Sequence, residues 1–141
     1  MLKNYNSRSP LPNIFAEIEK TLSQHRAKQI TKEYDNGLIT AISFVVETQR
    51  GPLMVRLPAR FDRVTAIFKE QNSRPRFPDQ NYRTAWATIR DWVSAQMALI
   101  DWEMVKVEEV FLPYAVGRNG KTFFEAFENG DIPLLEGEVQ P

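Results

Sequence analysis

The chain has 141 residues, 43% of them hydrophobic and 26% charged, which are the proportions of a single globular domain able to bury its own core. It contains no cysteine, which excludes disulfides, zinc–thiolate sites and thiol catalysis. The single histidine, His25, argues against a histidine-built metal centre or a Ser-His-Asp device.

A formal net charge of zero hides a split. Residues 1–100 carry 15 Lys/Arg against 9 Asp/Glu, and residues 101–141 carry 3 against 9. Eight of the eleven arginines fall between Arg50 and Arg90. Such asymmetry marks either a binding surface or two parts of a fold that attract each other.

Residues 1–12 read as an extended arm, with Pro10 and Pro12 restricting the backbone. Asn13 is the expected cap of a first helix that carries Ile14, Phe15, Ile18 and Leu22 on one face and ends near Gln24–Arg26. Glu17 and Glu19 are expected early in this helix, where its dipole favours acids. Residues 29–34 form a strand that turns at Asp35-Asn-Gly37, an Asn-Gly hairpin sequence. The next strand, Leu38–Thr48, is expected to bury its even positions, Leu38, Thr40, Ile42, Phe44 and Val46. A turn at Gln49–Pro52 leads to a third strand, in which Leu53, Val55 and Leu57 alternate with Met54 and Arg56.

Pro58 stops that strand, and a short helix spans about 61–71 with Phe61, Val64, Ile67 and Phe68 inward. Residues 72–78 form a polar, proline-containing loop, and Asp79 is the expected cap of the longest helix, about 80–102. On that helix Tyr82, Trp86, Ile89, Val93, Met97 and Ile100 share an arc, while Ala87, Asp91, Ser94, Ala95 and Ala98 make the opposite side small. Met104–Val107 is readable as a strand or as a continuation of the helix. Glu108–Tyr114 forms a short helix ended near Pro113, Arg118-Asn-Gly120 a turn, and Thr122 the cap of a last helix with Phe123, Phe124 and Phe127. Residues 130–141 form a tail, of which Ile132–Glu136 is too apolar to be free and is expected to lie across the body. The order predicts one α+β domain: an N-terminal helix, a three-stranded antiparallel meander, a long helix packed on the sheet and a small C-terminal helical region.

Three segments carry a resemblance: Ile18–His25, Ile42 through Pro58, and Ala85–Met97 followed by Glu109–Tyr114. Over roughly residues 14–128 the chain resembles a group of small proteins of unknown function encoded by bacteriophages, prophages and related mobile elements. The resemblance implies a genomic setting and brings no catalytic motif with it. Proteins of that setting commonly bind nucleic acid, neutralise a host defence or assist assembly.

The arginine cluster is the most informative feature. Arg56, Arg60, Arg63, Arg74, Arg76 and Arg83 offer planar donor forks suited to phosphate, and Phe77 and Tyr82 are stacking partners for unpaired bases. The competing reading pairs these arginines with the acidic C-terminal third. The α-β-β-β-α order is also that of double-stranded-RNA-binding domains, but the basic helix start they need is interrupted by Asp62. Asp91, Asp101, Glu108 and Glu109 do not converge on a reaction, and Gly117–Thr122 lacks the spacing of a phosphate loop. His25 reads as a cation at a helix C-terminus.

Trp92 and Trp102 mark a partner surface if exposed, with the small face of the long helix beside them. The sequence therefore predicts a non-enzymatic protein without cofactor or metal. It would bind an anionic ligand, single-stranded nucleic acid or a nucleotide, one form being nucleotide sequestration against a host defence. The alternative is an interaction module that docks its own copy or a host protein through the long helix. No apolar run reaches the length of a membrane span, and the first residues lack the apolar block of a signal peptide, so a cytoplasmic location is expected.

Overall fold

A computed structural model describes residues 11–71 and 80–131. The order of elements is α1 (Leu11–Gln24), β1 (Lys28–Asp35), β2 (Leu38–Thr48), β3 (Gly51–Pro58), α2 (Phe61–Glu70), α3 (Gln80–Asp101), α4 (Val107–Phe111), a 3-10 turn (Leu112–Tyr114) and α5 (Phe123–Glu128). The α+β architecture expected from the sequence is the one found. The three strands form an antiparallel sheet in the order β1-β2-β3. One face buries Ile42, Phe44 and Val46 of β2 with Val55 and Leu57 of β3 against α1 and α3. From the helices come Ile14, Phe15, Ile18 and Leu22, and Tyr82, Trp86, Val93 and Met97.

Several local expectations are corrected. α1 begins at Leu11, so residues 11–12 belong to the helix and not to an arm. Pro12 fits there because the first turn needs no amide donor from it. Asn13 lies inside that turn and is not the cap, and Glu17 and Glu19 fall beyond it. The rest of the expected arm, the 72–79 loop with Asp79, and residues 132–141 lie outside the described residues.

The expected even face of β2 fails at its start. Ile39 is buried, whereas Leu38 is exposed and Thr40 half-exposed. The cause is a bulge: Glu33 pairs with Ala41 but Tyr34 pairs with Ile39, so Thr40 is an extra residue and the alternation inverts across it. A second irregularity lies between Lys28 and Thr31, where Gln29 adopts φ 53°. The hairpin at Asn36-Gly37 has φ 52° and 80°, the two left-handed residues a type I′ turn requires.

Strand β2 also outruns its neighbour. β3 ends at Pro58, opposite Ala41, so Ile39 lies beyond any β3 partner. Its backbone would be left with unpaired groups in a buried setting, a costly arrangement. α3 supplies the partners. The Tyr82 hydroxyl accepts from Ile39 N–H and donates to Ile39 C=O (2.9 Å), and Trp86 Nε1 donates to the same carbonyl (3.2 Å). Tyr82 is therefore a buried clamp and is unavailable for stacking on a base. Burial pushes its phenol pKa up.

Both sides of the first half of α3 are covered. Thr84, Ala85 and Ala87 are buried with Trp86, so Ala87 is not on an open small face; Ser94, Ala95 and Ala98 remain exposed. Residues 102–106 are neither strand nor helix, because Glu103 turns the chain at φ 58°. Phe111 of α4 then packs edge-on to Phe44 (5.4 Å) and Trp92 (5.8 Å), which ties the C-terminal region to the sheet.

Tyr82→Phe should leave the Ile39 amide without its side-chain acceptor. A loss of about 1–3 kcal/mol in urea-unfolding free energy is expected, with no change in far-ultraviolet circular dichroism. An unchanged midpoint would show that the clamp contributes nothing.

Candidate functional site

The arginines that the sequence grouped are not equivalent. Arg56 projects from the sheet face opposite the core. Its Nε lies 2.8 Å from Glu33 Oε2 on β1, and the Ser43 hydroxyl of β2 donates to the same oxygen (3.1 Å). This three-strand contact holds the Glu33 carboxyl below its ordinary value, chiefly through the Arg56 hydrogen bond, with Ser43 helping and burial opposing. Arg83 at the start of α3 also has an interaction partner. Arg74, Arg76 and Phe77 lie outside the described residues.

Arg60 and Arg63 are different. Both are exposed, at the entry to α2. Arg60 occupies the N-cap position, no side chain caps that end, and Arg63 follows one turn on. The segment after the 3-10 turn brings aromatic rings to them. Ala115 bridges to Val55, the Val116 amide donates to Met54 C=O (2.8 Å), and Phe123 donates back to Ala115 (2.9 Å). Ala115 and Val116 thus lie along the free edge of β3, and the turn that returns to Phe123 places α5 beside Arg60. The Arg60 guanidinium carbon is 5.8 Å from the centre of the Phe124 ring. Phe123, Phe124 and Phe127 all remain partly exposed.

The same helix brings an acid. Thr122 and Glu125 form a reciprocal capping box, with Thr122 N–H donating to Glu125 Oε1 (2.8 Å) and Glu125 N–H donating to Thr122 Oγ1 (3.1 Å). Glu125 is held below its ordinary pKa first by the Thr122 backbone hydrogen bond, and to a lesser degree by the charges of Arg56 and Arg60. The acidic third and the basic segment therefore do meet, at this point. Sequence reasoning does not mark Phe123 or Phe124 as stacking groups. Their apolar run reads as helix core until the place of α5 beside Arg60 is known.

The tryptophans part company. Trp92 is half-buried, edge-on to Phe111 and to Tyr114 (both 5.8 Å), so it serves packing under the C-terminal region. Beside it lies a shallow groove of about 200 Å³ lined by Leu57, Pro58, Thr88, Ile89 and Tyr114. Trp102, just past α3, is 80% exposed, and Met104 beside it is exposed too.

The carboxylates are employed separately. Asp91 pairs with Arg90 (3.1 Å), and Glu109 accepts from the Lys106 amide (3.0 Å) at the start of α4. Asp101 contacts His25. His25 Nδ1 lies 2.7 Å from Thr21 C=O and Nε2 lies 2.9 Å from Asp101 Oδ2. Both partners are acceptors, an arrangement that the imidazolium, donating from both ring nitrogens, satisfies in full. Its pKa is raised, first by the Asp101 hydrogen bond and then by the Thr21 carbonyl, against burial. Among the described residues no group of three potential ligands could hold a metal ion, and no helix is long and apolar enough to cross a membrane. No family model matches the chain, and no curated protein or solved structure matches it.

A raised folded-state pKa means that the His25 contribution is complete below the unfolded value, about 6.5, and is lost as pH rises through the folded value. The unfolding free-energy difference between the native chain and His25→Asn should therefore be larger near pH ~5.5 than near pH ~9. Urea titrations at the two pH values check this, and a difference that grows with pH would contradict it.

Proposed function

We propose that the protein is a non-enzymatic binding protein for single-stranded nucleic acid or a nucleotide, with its contact surface at the junction of α2 and α5. The observation that carries this reading is the placement of the Arg60 guanidinium over Phe124. Exposed Arg63 lies a turn away, and further exposed rings, Phe123 and Phe127, lie on the same helix. Guanidinium groups contact phosphate while aromatic faces stack on unpaired bases, and neither demands a particular base. Arg56 acts on Glu125 through its charge and is already paired with Glu33. Glu125 opposes an incoming anion and sets an upper limit on affinity. The resemblance to phage- and prophage-encoded proteins supports a role in a mobile element, with nucleotide sequestration against a host defence as one form of it.

Fluorescence anisotropy with labelled single-stranded oligonucleotides at low and moderate salt tests the reading. Replacing Arg60 or Arg63 by alanine should weaken binding and lower the salt slope by about 0.7 for each phosphate that is no longer neutralised. Phe124→Ala should cost about 1–3 kcal/mol of binding free energy if a base stacks there. Absence of binding at low salt would refute the proposal.

Glu125→Gln keeps the capping geometry and removes the charge, so it should tighten binding at a modest loss of stability near neutral pH, because the depressed pKa of Glu125 makes its charged form the stabilising one. Thermal melts beside the anisotropy titrations separate the two effects. Weaker binding in a stably folded variant would place the ligand elsewhere.

A second reading, an interaction module, is favoured by one specific observation. Trp102 is 80% exposed, and exposed tryptophan is enriched among residues that dominate protein interfaces.

A further inference from the structure

α1 and α3 end side by side, and they end in the same way. At α1 the Ala27 amide donates to Leu22 C=O (3.0 Å) and the Arg26 amide to Ser23 C=O (3.2 Å). At α3 the Met104 amide donates to Leu99 C=O (3.0 Å) and the Glu103 amide to Ile100 C=O (2.9 Å). Both are Schellman terminations, which require a left-handed residue just past the helix. Glycine takes that conformation without steric cost, whereas other residues resist it. Here the two positions hold Arg26 (φ 69°) and Glu103 (φ 58°), two long side chains of opposite charge.

Both residues line one cleft of about 540 Å³. Its apolar lining comes from Val46, Met97, Ile100 and Val107. The His25–Asp101 bridge joins the two helix ends across the cleft and engages both side chains with each other. That leaves Arg26, Glu103 and Glu47 as the charges lining the cleft, and none of the three forms an ion pair among the described residues. The volume lies in the range of small-molecule sites, and the lining is divided about equally between polar and apolar surface.

We propose that this cleft binds a small apolar zwitterion of the amino-acid type, either a free amino acid or a dipeptide. Arg26 takes the carboxylate in a two-pronged contact, Glu103 takes the ammonium with Glu47 beside it, and the aliphatic side chain lies on Val46, Met97, Ile100 and Val107. This assignment makes sense of the strained side chains, since a glycine at either position would terminate the helix more easily but could hold neither end of the ligand. It is independent of the nucleic-acid reading, because α2, Arg60 and Phe124 take no part in the cleft.

The test uses isothermal titration of the intact protein with L-leucine and with leucyl-leucine, which separates the amino-acid source from the peptide source. N-acetyl-leucine and leucinamide, each lacking one charge, serve as competitors. Saturable binding of at least one zwitterion below about 1 mM is expected. Both blocked compounds should bind at least about tenfold more weakly, the worth of one charge-assisted hydrogen bond.

The decisive variants are Arg26→Gly and Glu103→Gly. Each relieves a left-handed side chain, so each should melt at the native temperature or above it while binding at least about tenfold more weakly. Arg26→Gln and Glu103→Gln, which keep the side-chain bulk, should weaken binding similarly. No saturable heat with either zwitterion would overturn the proposal, and so would unchanged affinity in either glycine variant.

Discussion

The fold turns on one mismatch of length, the overhang of β2 past the end of β3. Ile39 sits beyond Pro58's register and in the core, where its amide and carbonyl must find partners. Tyr82 and Trp86 provide them, one turn apart on α3. Two side chains on one helix, fixed to the backbone of one strand residue, set the axial position of α3 on the sheet. Everything toward the other end of α3 inherits that placement. Asp101 arrives beside His25, and Trp92 arrives where Phe111 and Tyr114 can close over it.

β1 and β2 occupy one side of the sheet, and the outer edge of β3 is free to accept the Ala115–Val116 segment. That edge contact delivers α5 to Arg60. The charge split of the sequence then takes on a local meaning. Among the described residues, Arg56 pairs with Glu33 on the sheet, Arg90 reaches Asp91 and Glu17 (3.1 and 3.9 Å), and Glu125 of the C-terminal region feels Arg56 and Arg60. An exposed pair of this kind is worth about 0–1 kcal/mol, too little to hold α5 in place. Backbone hydrogen bonds hold it, from Phe123 to Ala115 and from Val116 to Met54 of β3, and the charges adjust what the surface will accept.

The strands, both hairpin turns, the long helix and the Thr122 cap are legible because each rests on local chemistry: β-branched alternation, Asn-Gly, the 3.6-residue period and a threonine three residues before a glutamate. The bulge at Thr40 is not, since nothing in Ile-Thr-Ala announces an extra residue; it follows from how β1 and β2 register. Tyr82 escapes sequence reasoning for a related reason. An aromatic with a hydroxyl reads equally well as a surface stacking group and as a buried clamp, and only the unpaired carbonyl of Ile39 decides between them. The arginine cluster is legible as composition, but its division into the satisfied Arg56 and the exposed Arg60 and Arg63 depends on which strand lies beside which.

The ends of α1 and α3 fall where the helical stripes run out, near Gln24–Arg26 and about residue 102, but the residues that make the stops are not the usual ones. Glycine or asparagine past a helical stripe is the usual stop signal, and α5 obeys it with Asn129-Gly130. α1 and α3 instead stop at Arg26 and Glu103, which carry no such signal, and for that reason the sequence after Trp102 is ambiguous between strand and helix. The structure shows why both helices can stop there without glycine. Their last turns are fastened to one another through His25 and Asp101, and each chain reversal is closed by two backbone hydrogen bonds. Tertiary contact can hold a strained conformation that local preference would reject. The two unusual stops therefore share one cause, which is that the two helix termini are built as a single unit around one cleft.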